Sequence, residues 1–103
     1  MNIPQNIHMV GIGGIGMSAL AQLLTHQGKM VSGSDREMSP TTRLLEEKGI
    51  VVDIGHAISI PAETELLVYS DAVQADNSER VAARERNIEQ RSYFEVLGEV
   101  SKS

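Results

Sequence analysis

His8-Met9-Val10-Gly11-Ile12-Gly13-Gly14-Ile15-Gly16-Met17 is the stretch on which the fold turns. It reads as an apolar strand, a glycine-dense turn and the first turn of a helix. Gly11, Gly13 and Gly16 fit G-x-G-x-x-G in the strand–turn–helix context that the motif requires. Gly11 is expected to turn the chain tightly off the strand. Gly13 is expected to let a phosphate approach the backbone, and Gly16 to let the helix pack close to the sheet. Gly14 adds further backbone freedom. The free N–H groups at the helix start, with the positive end of the helix dipole, form an anion site.

The chain has 103 residues, enough for one domain and too few for two. A formal net charge of -5 argues against a nucleic-acid backbone as partner. One Phe, two Tyr and no Trp argue against a base-stacking platform. The absence of cysteine excludes disulfides and thiol chemistry and fits a cytoplasmic protein. No signal peptide is recognisable at Met1–Asn6, and no apolar run approaches membrane-spanning length.

Outward from the turn, strands and helices alternate. Strand one is predicted at Ile7–Ile12 and helix one at Ile15–Gln27. In that helix Met17, Leu20, Ala21 and Leu24 form one buried stripe, and Gly28 stops it. Strand two is predicted at Met30–Ser34. Helix two starts at Ser39-Pro40, buries Thr41, Leu44 and Leu45, and ends at Gly49. Strand three is Ile50–Ile54, Ala57–Glu65 is a loop, and strand four is Leu66–Tyr69. Asn77 caps helix three over Ser78–Arg86, Asn87 stops it, strand five is Ile88–Gln90, and helix four is Ser92–Val100. In helix four, Tyr93, Val96, Leu97 and Val100 repeat the helical stripe. This alternation predicts an α/β, three-layer, Rossmann-like domain. Its five-stranded, mostly parallel sheet should have order 3-2-1-4-5, with helices on both faces. Residues 1–103 form a single such domain.

Ligands bind such sheets at the carboxyl ends of the strands, where the strand order reverses. That edge collects the glycines, Ser34, Asp35, Arg36, His56, Ser70, Asp71 and Arg91. Asp35 stands 24 residues after Gly11 and 19 after Gly16, close to the spacing of an acidic residue that accepts a ribose hydroxyl. A turn-capping aspartate would look the same. Arg36 is placed to meet a 2′-phosphate or to be solvated. Ser70 is placed to bond a nucleotide or to cap its own turn, and His56 is a turn histidine of either kind. His8 reads as a satisfied core or edge residue, and His26 suits the end of helix one. Glu79, Arg80, Arg84, Glu85 and Arg86 alternate in sign and read as a solvated, ion-paired face. The methionines at 9, 17 and 30 read as core. No G-x-x-x-x-G-K-[ST] occurs, so the chain has no P-loop for ATP, and no catalytic dyad, triad or metal-ligand spacing is visible.

Gly11-Ile12-Gly13-Gly14-Ile15-Gly16-Met17-Ser18-Ala19-Leu20-Ala21 resembles the opening of the UDP-N-acetylmuramate–L-alanine ligases, a branch of the Mur ligase family. Gly33-Ser34-Asp35, Leu45–Ile50 leading to Gly55-His56, and Asp76-Asn77 with Glu79 agree in order and spacing. The family often has Ser-Ser-Ala and Asn-Pro-Glu where this chain has Ser70-Asp71-Ala72 and Asn77-Ser78-Glu79. The resemblance implies the first of three domains, the one that holds UDP-N-acetylmuramate in cytoplasmic peptidoglycan synthesis. It places the diphosphate on the turn Gly13, Gly14, Ile15 and Gly16, puts Asp35, His56 and Ser70 around the uridine end, and counts Gly11, Met17 and Ser34 among the residues that bind the UDP-sugar. It implies no cofactor for this domain. ATP and Mg²⁺ belong to the longer enzyme, which would phosphorylate the muramyl carboxylate and let the amine of L-alanine displace phosphate. The ATP-binding and amino-acid-binding domains of the same chain are the implied partners, with no nucleic acid and no membrane. An NAD(P)-binding domain of a dehydrogenase or redox-sensing regulator is the alternative that the glycine turn and Asp35 also fit.

Overall fold

The computed structural model describes residues 3–55 and 59–102. Its elements run β1 (Asn6–Val10), α1 (Ile15–His26), β2 (Met30–Asp35), α2 (Pro40–Glu47) and β3 (Val51–Ile54). They continue with β4 (Leu66–Tyr69), α3 (Ser78–Glu85), β5 (Glu89–Ser92) and α4 (Tyr93–Ser101). The strands form one five-stranded sheet in the order β3-β2-β1-β4-β5, and every pairing is parallel. The expected architecture is therefore present. Parallel neighbours need crossovers, and here helices supply most of them.

Alternate residues of the central strands β1 and β4 feed two cores, as the period of two requires. On one face Ile7, Met9, Leu66 and Val68 pack with Met17, Leu20 and Leu24 of α1, Leu45 of α2 and Val96 of α4. On the other face Val10 and Leu67 pack with Ala83 of α3 and Ile60 of the long β3–β4 connection. β1 is the central strand, and its residues from Ile7 to Val10 are all buried.

Local chemistry sets the element ends. The Ser39 Oγ accepts from the Thr42 N–H, and the Thr42 Oγ1 accepts from the Ser39 N–H, a reciprocal cap with Pro40 as the first helical residue. This cap turns Thr42 inward, so α2 buries Thr42 and Leu45, while Leu44 is 42% exposed and Thr41 only half-buried. The expectation for Thr41 and Leu44 is thus corrected. Asn77 Oδ1 accepts from the N–H groups of Glu79 and Arg80, and Asn87 leaves α3 with φ 58°. Arg91 lies inside β5, which extends further than expected. Met30, expected in the core, is 63% exposed at the start of β2.

Candidate functional site

The strand order reverses between β1 and β4. A polar crevice of about 960 Å³ opens there at the carboxyl ends of the strands. The glycine turn and the β2–α2 segment form one wall. Ser70, Ala72, Val73 and the start of α3 form the other.

The turn is tied down by β2. Gly11 has φ +81°, the left-handed conformation that the tight exit from β1 requires. The Ser34 carbonyl accepts from the N–H groups of both Gly11 (2.9 Å) and Ile12 (3.0 Å). The Gly13 N–H donates to Asp35 Oδ2 at 2.8 Å, and the Gly14 N–H donates to the Gly11 carbonyl at 3.2 Å. The N–H groups of residues 11–14 are therefore all engaged, three by the end of β2 and one within the turn. Those of Ile15, Gly16 and Met17, the first turn of α1, have no partner among the described residues. They are the donors left for an anion, at the positive end of the α1 dipole.

Two of the glycines have steric neighbours that the sequence did not show. A Cβ on Gly13 would stand 2.7 Å from Asp35 Oδ2, so this position makes room for the Asp35 carboxylate. A Cβ on Gly16 would stand 2.8 Å from the Tyr93 ring, so Gly16 lets α1 meet α4, not the sheet. Gly33 matters as well, because a Cβ there would collide with the Ile12 side chain and the Met9 carbonyl. The sequence signal for that was present only as part of Gly33-Ser34-Asp35.

The other expected residues fall as follows. Asp35 is half-buried and also accepts from the Arg36 N–H at 2.8 Å, and an ionised carboxylate has further acceptor sites to offer. Ser70 faces the turn, and its hydroxyl has no partner among the described residues. Met17 is buried in the core, so only its backbone N–H is presented. Ile15 projects its side chain 93% exposed beside the turn. Asp71 is exposed and does not line the crevice. Arg36 is the one cation among the described lining residues. His56 lies outside the described residues.

The charged face expected on α3 is corrected. Glu79 is 6% exposed and reaches back to the sheet. Its Oε2 pairs with His8 Nε2 at 2.7 Å, and the Ser34 hydroxyl donates to both of its oxygens at 2.9 and 2.8 Å. The other ring nitrogen of His8 meets Ser32 Oγ at 2.9 Å. His8 is thus the satisfied core histidine that was expected. Arg80 lies 3.6 Å over the Tyr69 ring and bonds Gln90 and the Val73 carbonyl. Arg84 and Arg86 donate to loop carbonyls. These arginines hold loops in place instead of pairing along the helix.

Among the described residues no group of three His, Cys, Asp or Glu side chains is placed to hold a metal ion, and no helix is long and apolar enough to cross a membrane. The parallel sheet, its strand order and the glycine turn at the switch point define a doubly wound domain of the Rossmann-like class. The sequence model of the Mur ligase family, catalytic domain, matches residues 6–103. This chain belongs to the Mur ligase family. A UDP-N-acetylmuramate–L-alanine ligase of Dechloromonas aromatica (strain RCB) is 45% identical over 98 residues, which is 95% of this chain and 21% of that protein. One of Acidovorax sp. (strain JS42) is 50% identical over 84 residues, 82% of this chain and 18% of that protein. The crystal structure of the UDP-N-acetylmuramate-alanine ligase of Thermotoga maritima superposes with TM-score 0.89 at 34% identity, over 94% of this chain and 23% of that one. A murein peptide ligase of Psychrobacter arcticus 273-4 gives TM-score 0.85 at 26% identity, over 93% of this chain and 20% of that one. The chain spans about a fifth of the length of the curated relatives it matches.

Proposed function

We propose that residues 1–103 form one domain that binds UDP-N-acetylmuramate for an ATP-dependent ligase adding L-alanine in cytoplasmic peptidoglycan synthesis. The observation that carries this reading is the row of three unpartnered N–H groups, Ile15 to Met17, beside the crevice. A diphosphate supplies acceptor oxygens to that row and negative charge to the helix end. Gly11, Gly13 and Gly14 shape the turn beneath it. Asp35 has acceptor capacity for a ribose hydroxyl, and Ser70 offers a hydroxyl from the opposite wall. Ser34 supports the turn, and His56 completes the uridine end as the family resemblance implies.

Phosphoryl transfer is assigned to residues outside this chain. It has no P-loop lysine to meet ATP, and its described residues bring together no metal-binding cluster. In the longer enzyme ATP and Mg²⁺ would activate the muramyl carboxylate as an acyl phosphate, and the alanine amine would displace phosphate. This chain's part is to hold the nucleotide end of the sugar while its carboxylate projects toward the other domains.

Calorimetric titration of the 103-residue chain with UDP-N-acetylmuramate, UDP and NADH tests the reading. The two uridine ligands are expected to bind weakly, and NADH no better. NADH binding with no heat from either uridine ligand would favour the dinucleotide alternative and overturn this one.

A further inference from the structure

Glu79 is a buried carboxylate at the start of α3 that reaches across the base of the crevice. Through Ser34 and His8 it joins α3, on one wall, to β2 and β1, which carry the other. Its own N–H is fixed by Asn77 Oδ1 at 2.9 Å. Ser34 is the residue whose carbonyl holds Gly11 and Ile12. The path from carboxylate to turn is therefore two hydrogen-bonded steps within one residue. The Ser34 hydroxyl is committed to Glu79, which separates it from a direct ligand contact.

We propose that Glu79 is a positioning residue for the glycine turn. Acting through Ser34, it fixes the end of β2 so that the glycine turn holds the start of α1, with the N–H groups of Ile15 to Met17, beside the crevice. The ligand side of this inference rests on the reading above, and the positioning itself is a property of the free protein. The hydrogen-bond inventory distinguishes geometry from charge. In Glu79→Gln the amide oxygen still accepts from the Ser34 hydroxyl. The amide N–H can donate to His8 Nε2 once the ring adopts its other tautomer and donates from Nδ1 to Ser32. Glu79→Leu can do neither. Ser34→Ala removes the link while leaving the His8–Glu79 pair in place.

Amide hydrogen exchange of the free chain, compared with core amides such as Met9 to remove any change in global stability, reads the turn directly. UDP titration reads the consequence. Ser34→Ala and Glu79→Leu are expected to speed exchange at Gly11 and Ile12 about tenfold beyond the core change and to weaken UDP at least fivefold. Glu79→Gln is expected to stay within twofold of the parent chain in both. The double variant Ser34→Ala/Glu79→Leu is expected to be no worse than the weaker single variant, since both cut one link. Unchanged Gly11 and Ile12 exchange in folded Ser34→Ala would overturn the proposal, as would a Glu79→Gln defect equal to that of Glu79→Leu. If Glu79→Leu does not fold, Ser34→Ala and Glu79→Gln decide it. If the parent chain binds no UDP, the ligand reading falls by itself, and the exchange of Gly11 and Ile12 still decides the positioning role.

Discussion

A methyl group on Gly13 would stand 2.7 Å from Asp35 Oδ2 and 3.0 Å from Thr42 Cγ2. Gly13→Ala must therefore displace the carboxylate that holds its own N–H. It is expected to lose about 1–3 kcal/mol of stability, the usual result of overpacking, and to weaken uridine-ligand binding together with it. Denaturant unfolding and titration of the same variant check both. Gly33→Ala places its clash in the core, against the Ile12 side chain and the Met9 carbonyl. A comparable or larger loss of stability is expected, measured by the denaturation midpoint. His8→Leu would strip the Glu79 carboxylate of a buried partner and should cost about 1–3 kcal/mol, again by denaturant unfolding. Glu79 is where the sequence was least legible. On a helix with alternating charges it reads as one more solvated acid. Its partners His8 and Ser34 lie 71 and 45 residues away. Local periodicity carries no information about such a contact. The steric neighbour of Gly13 was not legible, since the position of the Asp35 carboxylate is a tertiary fact.

Caps make several of these short elements definite. Ser92 Oγ accepts from the Glu95 N–H at 3.2 Å, and the Glu95 carboxylate accepts from the Ser92 N–H at 2.8 Å. The backbone bond from Ser92 is the main force holding the Glu95 carboxyl below the ordinary glutamate value. The Ser92 side chain and the nearby Arg91 charge add to it, against slight desolvation. A lowered value in the folded state means that the box contributes fully above the ordinary glutamate range. The contribution is lost as pH falls through the lowered Glu95 value. A carboxyl titration followed by NMR is expected to place Glu95 below the ordinary value. Ser92→Ala removes the side-chain bond but keeps the backbone one, so it should raise the value only in part and destabilise the domain by about 0.5–2 kcal/mol. Titration of Glu95 at the ordinary value in the parent chain would contradict the cap. Ser39 and Asn77 were legible as caps because a Ser, Asn or Asp before a helical stripe has few other local uses. The face of α2 was not legible in the same way. Thr42 and Leu44 differ little in pattern, and only the reciprocal Ser39–Thr42 bonds fix which of them turns inward.

At the scale of the whole molecule, the parallel sheet was legible in the alternation of strands and helices. The strand order was legible in the glycine turn after the first strand, which such folds place where the order reverses. The glycine turn then falls at the switch point, where β1 parts from β4 and the crevice opens. The sheet thus delivers a helix N-terminus to the ligand edge, and the β2 end holds residues 11–13 so that donors begin at Ile15. We propose that these donors receive the diphosphate of a uridine nucleotide sugar. Backbone amide shifts of the chain titrated with UDP-N-acetylmuramate decide it. Ile15, Gly16 and Met17 are expected to shift most and saturate together, while Gly11 and Ile12, already bonded to Ser34, shift less. Saturating shifts elsewhere, with Ile15 to Met17 unmoved, would contradict it.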